Sequence, residues 1–346
     1  MNAETLTRQA RLTASARKIR PPFALDPDLR FYSPQENLDA LRHPRVASWL
    51  EFIRREWTPT PVPGAVGRIA LLVPCTKYKP YPTSREHRGI NSALLDAGWA
   101  PIGGPVPDGL EKCLDSGEDG RLLDVTPMVR EGFVLDRFIV SEPLGLVPYE
   151  HAYWWRGEQS PATSYDDPGL FESRGTSVSP YRDDCTAVPL RDGTWRWGPG
   201  EREAYAEVHN ALVDVLAAVL GRLAPSYAGI GAWVSPGLTH VSFLADRERR
   251  RTDGIPAVKH GVSGPRTLTG VLDLLPGVVT LMPTRAQLEA ATEALRERLS
   301  GQGRSATPGS VRSIFARGDG RDTPLALPET LTHLIGWLDA WTAAPR

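Results

Sequence analysis

This chain of 346 residues has few cysteines and no excess of charge of either sign. Its three cysteines, Cys75, Cys113 and Cys185, are widely spaced and form no CxxC pair, so neither a zinc ribbon nor a disulfide framework is indicated. The 40 Lys and Arg residues nearly balance the 41 Asp and Glu residues, for a net charge of -1. Bulk electrostatic attraction to nucleic acid is therefore not expected, and a nucleic-acid partner requires a local basic patch or a specific pocket.

Long apolar runs and phosphate-binding glycine motifs are also missing. No stretch approaches the ~18 apolar residues of a transmembrane helix. The first twenty residues have basic side chains but no apolar core, unlike a secretory signal. The sequence contains neither GxGxxG after a strand nor GxxxxGK[ST]. These patterns predict a cytoplasmic protein with no membrane partner, no cofactor and no metal site.

Apolar periodicity predicts alternating strands and helices. The predicted strands span 69–73, 137–140, 230–234, 240–244 and 278–282. The predicted helices span 43–57, 90–97, 200–223, 285–299 and 328–341. This order favours an α/β fold with a Rossmann-like, mainly parallel or mixed sheet flanked by helices, and an additional C-terminal α/β subdomain. We divide the chain into an irregular or helical extension (1–65), a catalytic module (66–200) and a C-terminal portion that packs on or completes the sheet (201–346).

The most informative segment, PCTKYKPYPTSREH, runs from Pro74 to His87. It directly follows the apolar strand predicted at 69–73. A turn after a buried strand is usually built from Gly, Asn, Asp or Ser, whereas this one carries thiol, ammonium, phenol, hydroxyl and imidazole groups. Ligand crevices in open α/β sheets lie just beyond the carboxyl ends of strands. The segment therefore predicts a functional site.

Each side chain in this segment has a chemical role and a plainer alternative. Cys75 is the candidate nucleophile, since nearby cations lower the pKa of a thiol; the alternative is a buried, inert cysteine. His87 is the candidate general acid and base, and Lys79 can hold a carboxylate or a phosphate. Tyr81 can stack on a planar base or anchor the loop. Ser84 can orient a ligand or cap the next helix.

Two later segments carry further candidates. In the first, spanning 141–150, Ser141 and Gly145 belong to a strand end and a tight turn that can form a pocket wall, and Glu150 can accept a proton or bind an amine. The alternative is an ordinary strand-to-helix connection. In the second, Tyr165 precedes Asp166, whose carboxylate can bind the amino edge of a guanine-like ring or a substrate amine. The alternative there is a simple turn.

The segment from Pro74 to His87 resembles the archaeosine synthase family, whose pattern is PC-x3-KPY-x2-S-x2-H. Its seven fixed positions are all present, as Pro74, Cys75, Lys79, Pro80, Tyr81, Ser84 and His87. The run at 141–150 resembles the family's S-P-L-G-x-V-P segment followed by an acidic residue. In this chain, however, Glu142 is inserted after Ser141 and Tyr149 replaces the usual basic residue. The pair Tyr165-Asp166, followed by Pro168, resembles a third segment, and the resemblance covers roughly 66–175.

The resemblance implies a transferase that adds an amine or amino acid, lysine in that family, to the nitrile of 7-cyano-7-deazaguanine and forms an amidine. The implied partners are a deazaguanine in tRNA, DNA or a nucleoside, and an amine donor. Cys75 would attack the nitrile, His87 or Glu150 would transfer protons, Lys79 would hold a carboxylate and Asp166 would bind the base. Direct attack by the amine, with Cys75 only positioning the base, is the alternative mechanism.

Two other functions fit the same residues. The pocket can belong to a non-catalytic module that binds a nucleobase or nucleic acid. It can also belong to a base-exchange or glycosidic-bond enzyme in which Asp166, rather than Cys75, is the nucleophile. The family's transglycosylase-like region and its RNA-binding PUA domain have no recognised counterpart in this sequence, so the nature of the acceptor stays open.

Overall fold

The structure, a computed structural model, describes residues 7–235 and 239–343. It confirms the α/β fold class, with a mainly parallel, mixed central sheet flanked by helices. The helices are α1 (Arg8–Ala16), α2 (Pro34–Ala40), α3 (Pro44–Glu51), α4 (Arg85–Asp96), α5 (Pro161–Ser164), α6 (Pro199–Leu223), α7 (Thr239–Leu244), α8 (Arg247–Asp253), α9 (Val271–Leu274), α10 (Arg285–Gly301), α11 (Pro308–Arg317) and α12 (Pro328–Thr342). The strands are β1 (Gly67–Pro74), β2 (Ala100–Pro101), β3 (Met128–Arg130), β4 (Phe133–Ser141), β5 (Gly145–Pro148), β6 (Trp154–Trp155), β7 (Glu158–Gln159), β8 (Val188–Pro189), β9 (Trp195–Arg196), β10 (Gly229–Trp233), β11 (Val258–Gly261), β12 (Gly264–Thr267) and β13 (Thr280–Met282).

Seven strands form the central sheet, in the order β13-β10-β1-β4-β3-β2, with β5 paired to β4. Strand β1 pairs in parallel with β4 on one side and β10 on the other, and β10 pairs in parallel with β13. Strands β2, β3 and β5 are antiparallel additions. Two strands from the later part of the chain, β10 and β13, thus complete the sheet that β1 and β4 begin.

The position of β1 follows from its sequence. Its residues 69–73 are all buried, which is the pattern of a parallel strand covered on both faces. Helix α4 begins at Arg85, within the segment from Pro74 to His87, because the Ser84 hydroxyl caps it, accepting a hydrogen bond from the His87 backbone N–H at 3.3 Å. The chain therefore leaves the sheet centre through a ten-residue segment, 75–84, that holds Cys75.

Helices pack closely on the sheet where glycine allows it. The indole rings of Trp337 and Trp341, on α12, lie against Gly231 and Gly229 of β10, and a Cβ at either glycine would clash with them. Helix α6 packs on β5 at Gly145, next to Val215. Large side chains on the helices thus occupy the space that glycines leave on the strands.

Two local predictions differ from the structure. Residues 240–244, predicted as a strand, lie in the buried helix α7. The helix predicted over 43–57 is α3 followed by one π-helical segment, Phe52–Glu56.

One helix in the described part of the chain, Pro199–Ser226, is long and apolar enough to cross a membrane. The apolar pattern of the sequence predicted no such stretch. Half of its apolar window is buried inside the structure, and the core helix of a globular protein passes the same test of length and composition. The cytoplasmic location and the absence of a membrane partner stay predictions.

Candidate functional site

The strand order reverses between β1 and β10. From β1 the chain moves to β4 on one side of the sheet, and it then returns to β10 on the other side of β1. Ligands in open α/β sheets bind outside the carboxyl ends of the strands at such a reversal. Cys75 directly follows β1, and His240 lies in α7, shortly after β10. The topology therefore brings these two residues to one crevice.

A cavity of about 490 Å³ occupies this crevice. Its volume falls within the usual range for small-molecule sites. It is lined by the N-terminal segment, the turn after β1, the turn after β4, the segment after Tyr165, and α7. The side chains that line it include Arg11, Ser15, Lys18, Cys75, Lys77, Lys79, Glu142, Tyr165, Asp167, Phe171, Arg174, Thr239 and His240.

Cys75 and His240 form the reactive pair of this cavity. The Cys75 Sγ atom lies 3.3 Å from His240 Nε2. Burial and the neighbouring Glu142 carboxylate raise the pKa of the Cys75 thiol, while burial lowers the pKa of His240. The resting pair is thus a neutral thiol beside a neutral imidazole. Such a pair attacks an electrophile only when the imidazole takes the thiol proton, which makes His240 the general base in this geometry.

Glu142 lies beside this pair. Its Oε1 atom accepts a hydrogen bond from the Thr239 hydroxyl at 2.7 Å, and the residue is only 3% exposed. Ligand atoms of Cys75, Glu142 and His240 all lie within 4.8 Å of one another. Glu142 is also the residue at which this chain departs from the family segment it resembles, so the departure lies within the site.

The two adjacent aspartates have different surroundings. Asp166 Oδ2 accepts hydrogen bonds from Ser15 Oγ at 2.6 Å and from Lys18 Nζ at 2.5 Å. Asp167, in contrast, lines the cavity, and its Oδ2 atom is buried with no partner among the described residues. Burial and the nearby Glu142 raise the pKa of Asp167 to about 8. Asp166 Oδ1 is likewise buried with no partner among the described residues, but Asp166 does not line the cavity, so the carboxyl group next to a ligand there is that of Asp167.

Lys79 and Tyr165 form one wall of the cavity. The Lys79 ammonium lies 4.2 Å from the centre of the Tyr165 ring and donates a hydrogen bond to the Thr76 carbonyl at 3.2 Å. Burial lowers the pKa of Lys79. The Tyr165 hydroxyl is 2.8 Å from that of Tyr81 and 2.5 Å from that of Ser141. Tyr81 and Ser141 therefore hold Tyr165 in place and do not themselves line this cavity.

His87 is a packed residue of the turn between β1 and α4. Its Nε2 atom lies 2.9 Å from the Pro74 carbonyl, to which it donates, and Nδ1 lies 3.2 Å from the Tyr149 hydroxyl. Burial lowers the pKa of His87 to about 4. With both ring nitrogens bonded away from the cavity, His87 supports the turn that carries Cys75. This geometry gives no support to the predicted proton transfer by His87.

The other predicted residues also lie outside the cavity. Ser84 caps α4 and lines a neighbouring cavity. Gly145 has a positive φ of 67° at the start of β5. Glu150 accepts hydrogen bonds from Trp57 Nε1 at 2.8 Å and Thr60 Oγ1 at 2.9 Å, and it has no contact with Cys75. Neither Gly145 nor Glu150 is therefore part of the proposed site.

Several residues of the site are absent from the sequence-based prediction. They are Arg11, Ser15, Lys18, Glu142, Asp167, Thr239 and His240. The sequence itself could have pointed to two of them, since Glu142 interrupts a recognisable pattern and Asp167 is the second member of an acidic pair. His240 had none, because it lies far from Cys75 in the chain and within a segment predicted as a strand.

Comparisons with protein-family models, with curated proteins and with solved structures gave no match for this chain.

Proposed function

We propose that this protein is an enzyme that adds an amine or amino acid to the nitrile of a 7-cyano-7-deazaguanine-type base, with Cys75 as nucleophile and His240 as general base. The observation that carries the proposal is the Cys75–His240 pair, 3.3 Å apart in a cavity at the reversal of strand order. The resemblance of the segment from Pro74 to His87 supplies the nitrile as the electrophile.

The first step is addition of the thiol across the nitrile. A bond forms between Cys75 Sγ and the nitrile carbon, and one π bond of the C≡N group breaks. His240 Nε2 takes the thiol proton and gives it to the nitrile nitrogen, so the product is a neutral thioimidate. The step needs no oxidant, reductant or nucleotide, because the nitrile itself is electrophilic.

The second step is displacement by the amine. The amine nitrogen attacks the thioimidate carbon, the C–S bond breaks, and the amine proton returns to the sulfur through His240. The products are an amidine and free Cys75. A buried, neutral imidazole suits both steps, because it can accept and release one proton without leaving a lasting charge in the cavity.

Recognition of the base belongs to Asp167 in this proposal. A guanine-type ring presents two N–H donors on one edge, and the Asp167 carboxyl accepts both once it is ionised, a form that these donors favour. The Asp167 carboxyl lines the cavity and has an oxygen with no partner among the described residues. At the cavity rim, Lys77 and Arg174 are exposed, and these cations suit a phosphate of an acceptor nucleotide.

The test is intact-protein mass spectrometry of the full chain with 7-cyano-7-deazaguanine, as base and as nucleoside, in the absence of amine. We expect a mass gain equal to the whole base, since addition releases no leaving group. Cys75→Ser should abolish the gain, whereas Cys113→Ser and Cys185→Ser should retain it. Added lysine should then restore the original protein mass and yield an amidine.

Other results would identify the alternatives. Saturable binding of the base without adduct or product, also when it is presented in tRNA and DNA, would indicate a binding module. Release of free base from the nucleoside, independent of Cys75, would indicate a glycosidic-bond enzyme. Amidine formation that survives Cys75→Ser would exclude the covalent mechanism and favour direct attack by the amine.

A further inference from the structure

Three side chains with metal-binding chemistry meet at the mouth of the strand crevice. Cys75 comes from the turn after β1, Glu142 from the turn after β4 and His240 from α7. Thiolate, imidazole and carboxylate are the three ligand types that proteins use for Zn²⁺. We infer that Cys75, Glu142 and His240 form a binding site for a divalent transition-metal ion, with Zn²⁺ as the expected occupant.

The spacing of the ligand atoms suits a tetrahedral ion. Zn–S bonds of ~2.3 Å and Zn–N bonds of ~2.05 Å at a tetrahedral angle imply an S···N separation of about 3.5 Å. The observed separation of Cys75 Sγ and His240 Nε2 is 3.3 Å, and the nearest Glu142 oxygen lies within 4.8 Å of both ligand partners. The Cys75–His240 separation already matches this geometry, and the 4.8 Å limit leaves the Glu142 carboxylate at most about 1.3 Å to approach.

The charge and the chemical type of the ligands also favour this ion. A thiolate and a carboxylate together neutralise a divalent cation, and His240 adds a neutral ligand, so the bound cluster carries no net charge in its buried setting. The Lys79 ammonium lies near Cys75 and opposes a cation, so the thiolate and the Glu142 carboxylate must supply the compensating charge. Thiolate and imidazole select Zn²⁺ over Mg²⁺ or Ca²⁺.

Three protein ligands leave a fourth position open, as in catalytic rather than structural zinc sites. The consequence for turnover rests on the proposed function. An ion held by the Cys75 sulfur occupies the lone pair that would attack the nitrile. Zn²⁺ should therefore inhibit adduct formation in competition with the nitrile base, and a chelator should reverse the inhibition.

Metal binding is tested without any substrate. The metal content of the purified full chain is measured first, the protein is then freed of metal with a chelator, and Co²⁺ and Zn²⁺ are titrated separately. We expect one ion per chain, and for Co²⁺ a sulfur-to-metal charge-transfer band with the visible bands of tetrahedral cobalt. Cys75→Ser should remove the charge-transfer band, and Glu142→Gln and His240→Ala should each weaken binding by about tenfold or more.

Matched variants separate a specific site from general thiol or histidine binding. Cys113→Ser, Cys185→Ser and His260→Ala should bind the ion like the wild type. Thermal unfolding of every variant checks that the fold is retained. Absence of saturable binding, or binding that Cys75→Ser leaves unchanged in a folded protein, would overturn the inference.

The metal site and the proposed function fail in different ways. If the metal-free protein forms no adduct with any acceptor, the proposed function fails, while the Co²⁺ spectrum still decides the metal site. If adduct formation at Cys75 proceeds at an unchanged rate when the metal is saturating, Cys75 is not a ligand and the metal inference is wrong.

Discussion

Asp166 and Asp167 are neighbours in the chain, yet only Asp167 lines the cavity. The Asp166 carboxylate is held by Lys18 and Ser15, so its hydrogen bonds serve to attach the N-terminal segment to the site. Asp167 faces the cavity with an oxygen free of partners among the described residues, and burial raises its pKa to about 8. The environment of a carboxyl group, rather than its residue type, decides which of the two can bind a ligand.

At this scale the first prediction concerns Asp167. At a pH above about 8, where the Asp167 carboxyl is ionised, Asp167→Asn should weaken binding of 7-deazaguanosine, which lacks the nitrile, by about 10- to 100-fold, since hydrogen bonds to a charged group contribute roughly 1.5–3 kcal/mol. Isothermal titration calorimetry measures this affinity without covalent chemistry. The exposed Asp183 is the matched control, and Asp183→Asn should bind normally. Equal affinities of Asp167→Asn and wild type would remove Asp167 from the site.

A second residue-scale prediction concerns His240. His240→Ala should slow formation of the Cys75 adduct by about 10²- to 10⁴-fold, the usual contribution of a general base. Affinity for 7-deazaguanosine should change only slightly, because the imidazole contacts the thiol and not the base in the proposal. Time-resolved mass spectrometry gives the rate, with the exposed His260→Ala as control. An unchanged adduct rate would mean that another group takes the thiol proton.

At the scale of elements, the turn between β1 and α4 joins the site to the core through His87. The pKa of His87 is about 4 in the folded protein, against 6.5 for an ordinary histidine. At pH values between these two, the unfolded chain binds a proton at this imidazole that the folded protein does not. The free energy of unfolding therefore decreases as the pH falls from 6.5 to 4. The loss has a limiting slope of ~1.4 kcal/mol per pH unit.

This gives a test of the structural role of His87. His87→Gln should flatten the fall in unfolding free energy between about pH 6.5 and 5, since glutamine does not titrate. Urea unfolding at several pH values measures the slope, and His260→Gln, at an exposed position, should keep the slope of the wild type. If His87→Gln unfolds with an unchanged pH dependence, the histidine is not buried as a neutral group.

The turn between β4 and β5 provides a test of how closely helix α6 packs on the sheet. Gly145 has a φ of 67°, and a Cβ there would lie 3.1 Å from Val215 Cγ1 on α6. Gly145→Ala should lower the unfolding free energy by more than the ~1–2 kcal/mol of left-handed backbone strain alone. Gly157→Ala is the control, because Gly157 has a φ of 80° and open space around it. Equal losses in the two variants would show that helix α6 moves away at no cost.

The local patterns predicted some of these elements and not others, for physical reasons. The strand β1 and the turn with Cys75 were predictable, because an abrupt change from apolar to reactive side chains is visible in the sequence itself. The helix α7 was not, because all of its residues are buried and a short apolar run has no periodicity that separates a strand from a helix. His240 was missed with it, since its partner Cys75 is brought near only by the strand order.

At the scale of the whole molecule, one sheet unites the portions predicted at 66–200 and 201–346, the second of which was expected to pack on the sheet or complete it. The module predicted at 66–200 contains β1 and β4 but lacks β10, β13 and almost all of α6. Residues Ile69 to Leu72 of β1 pair with β10, and all of them are buried. The reactive pair is divided in the same way, since Cys75 belongs to one portion and His240 to the other. We therefore expect these portions to fold and function only as one unit.

Expression of the fragment 66–200 tests this expectation. Without β10, the apolar strand β1 becomes an exposed edge whose backbone groups have no partners, and such edges promote aggregation. The fragment should be largely unfolded or aggregated by circular dichroism and ultracentrifugation, and it should form no Cys75 adduct. The full chain should instead unfold in urea in one cooperative transition seen by both fluorescence and circular dichroism. A monomeric fragment with cooperative unfolding would show that the portion around β1 folds alone, and that β10 and His240 were added to an existing domain.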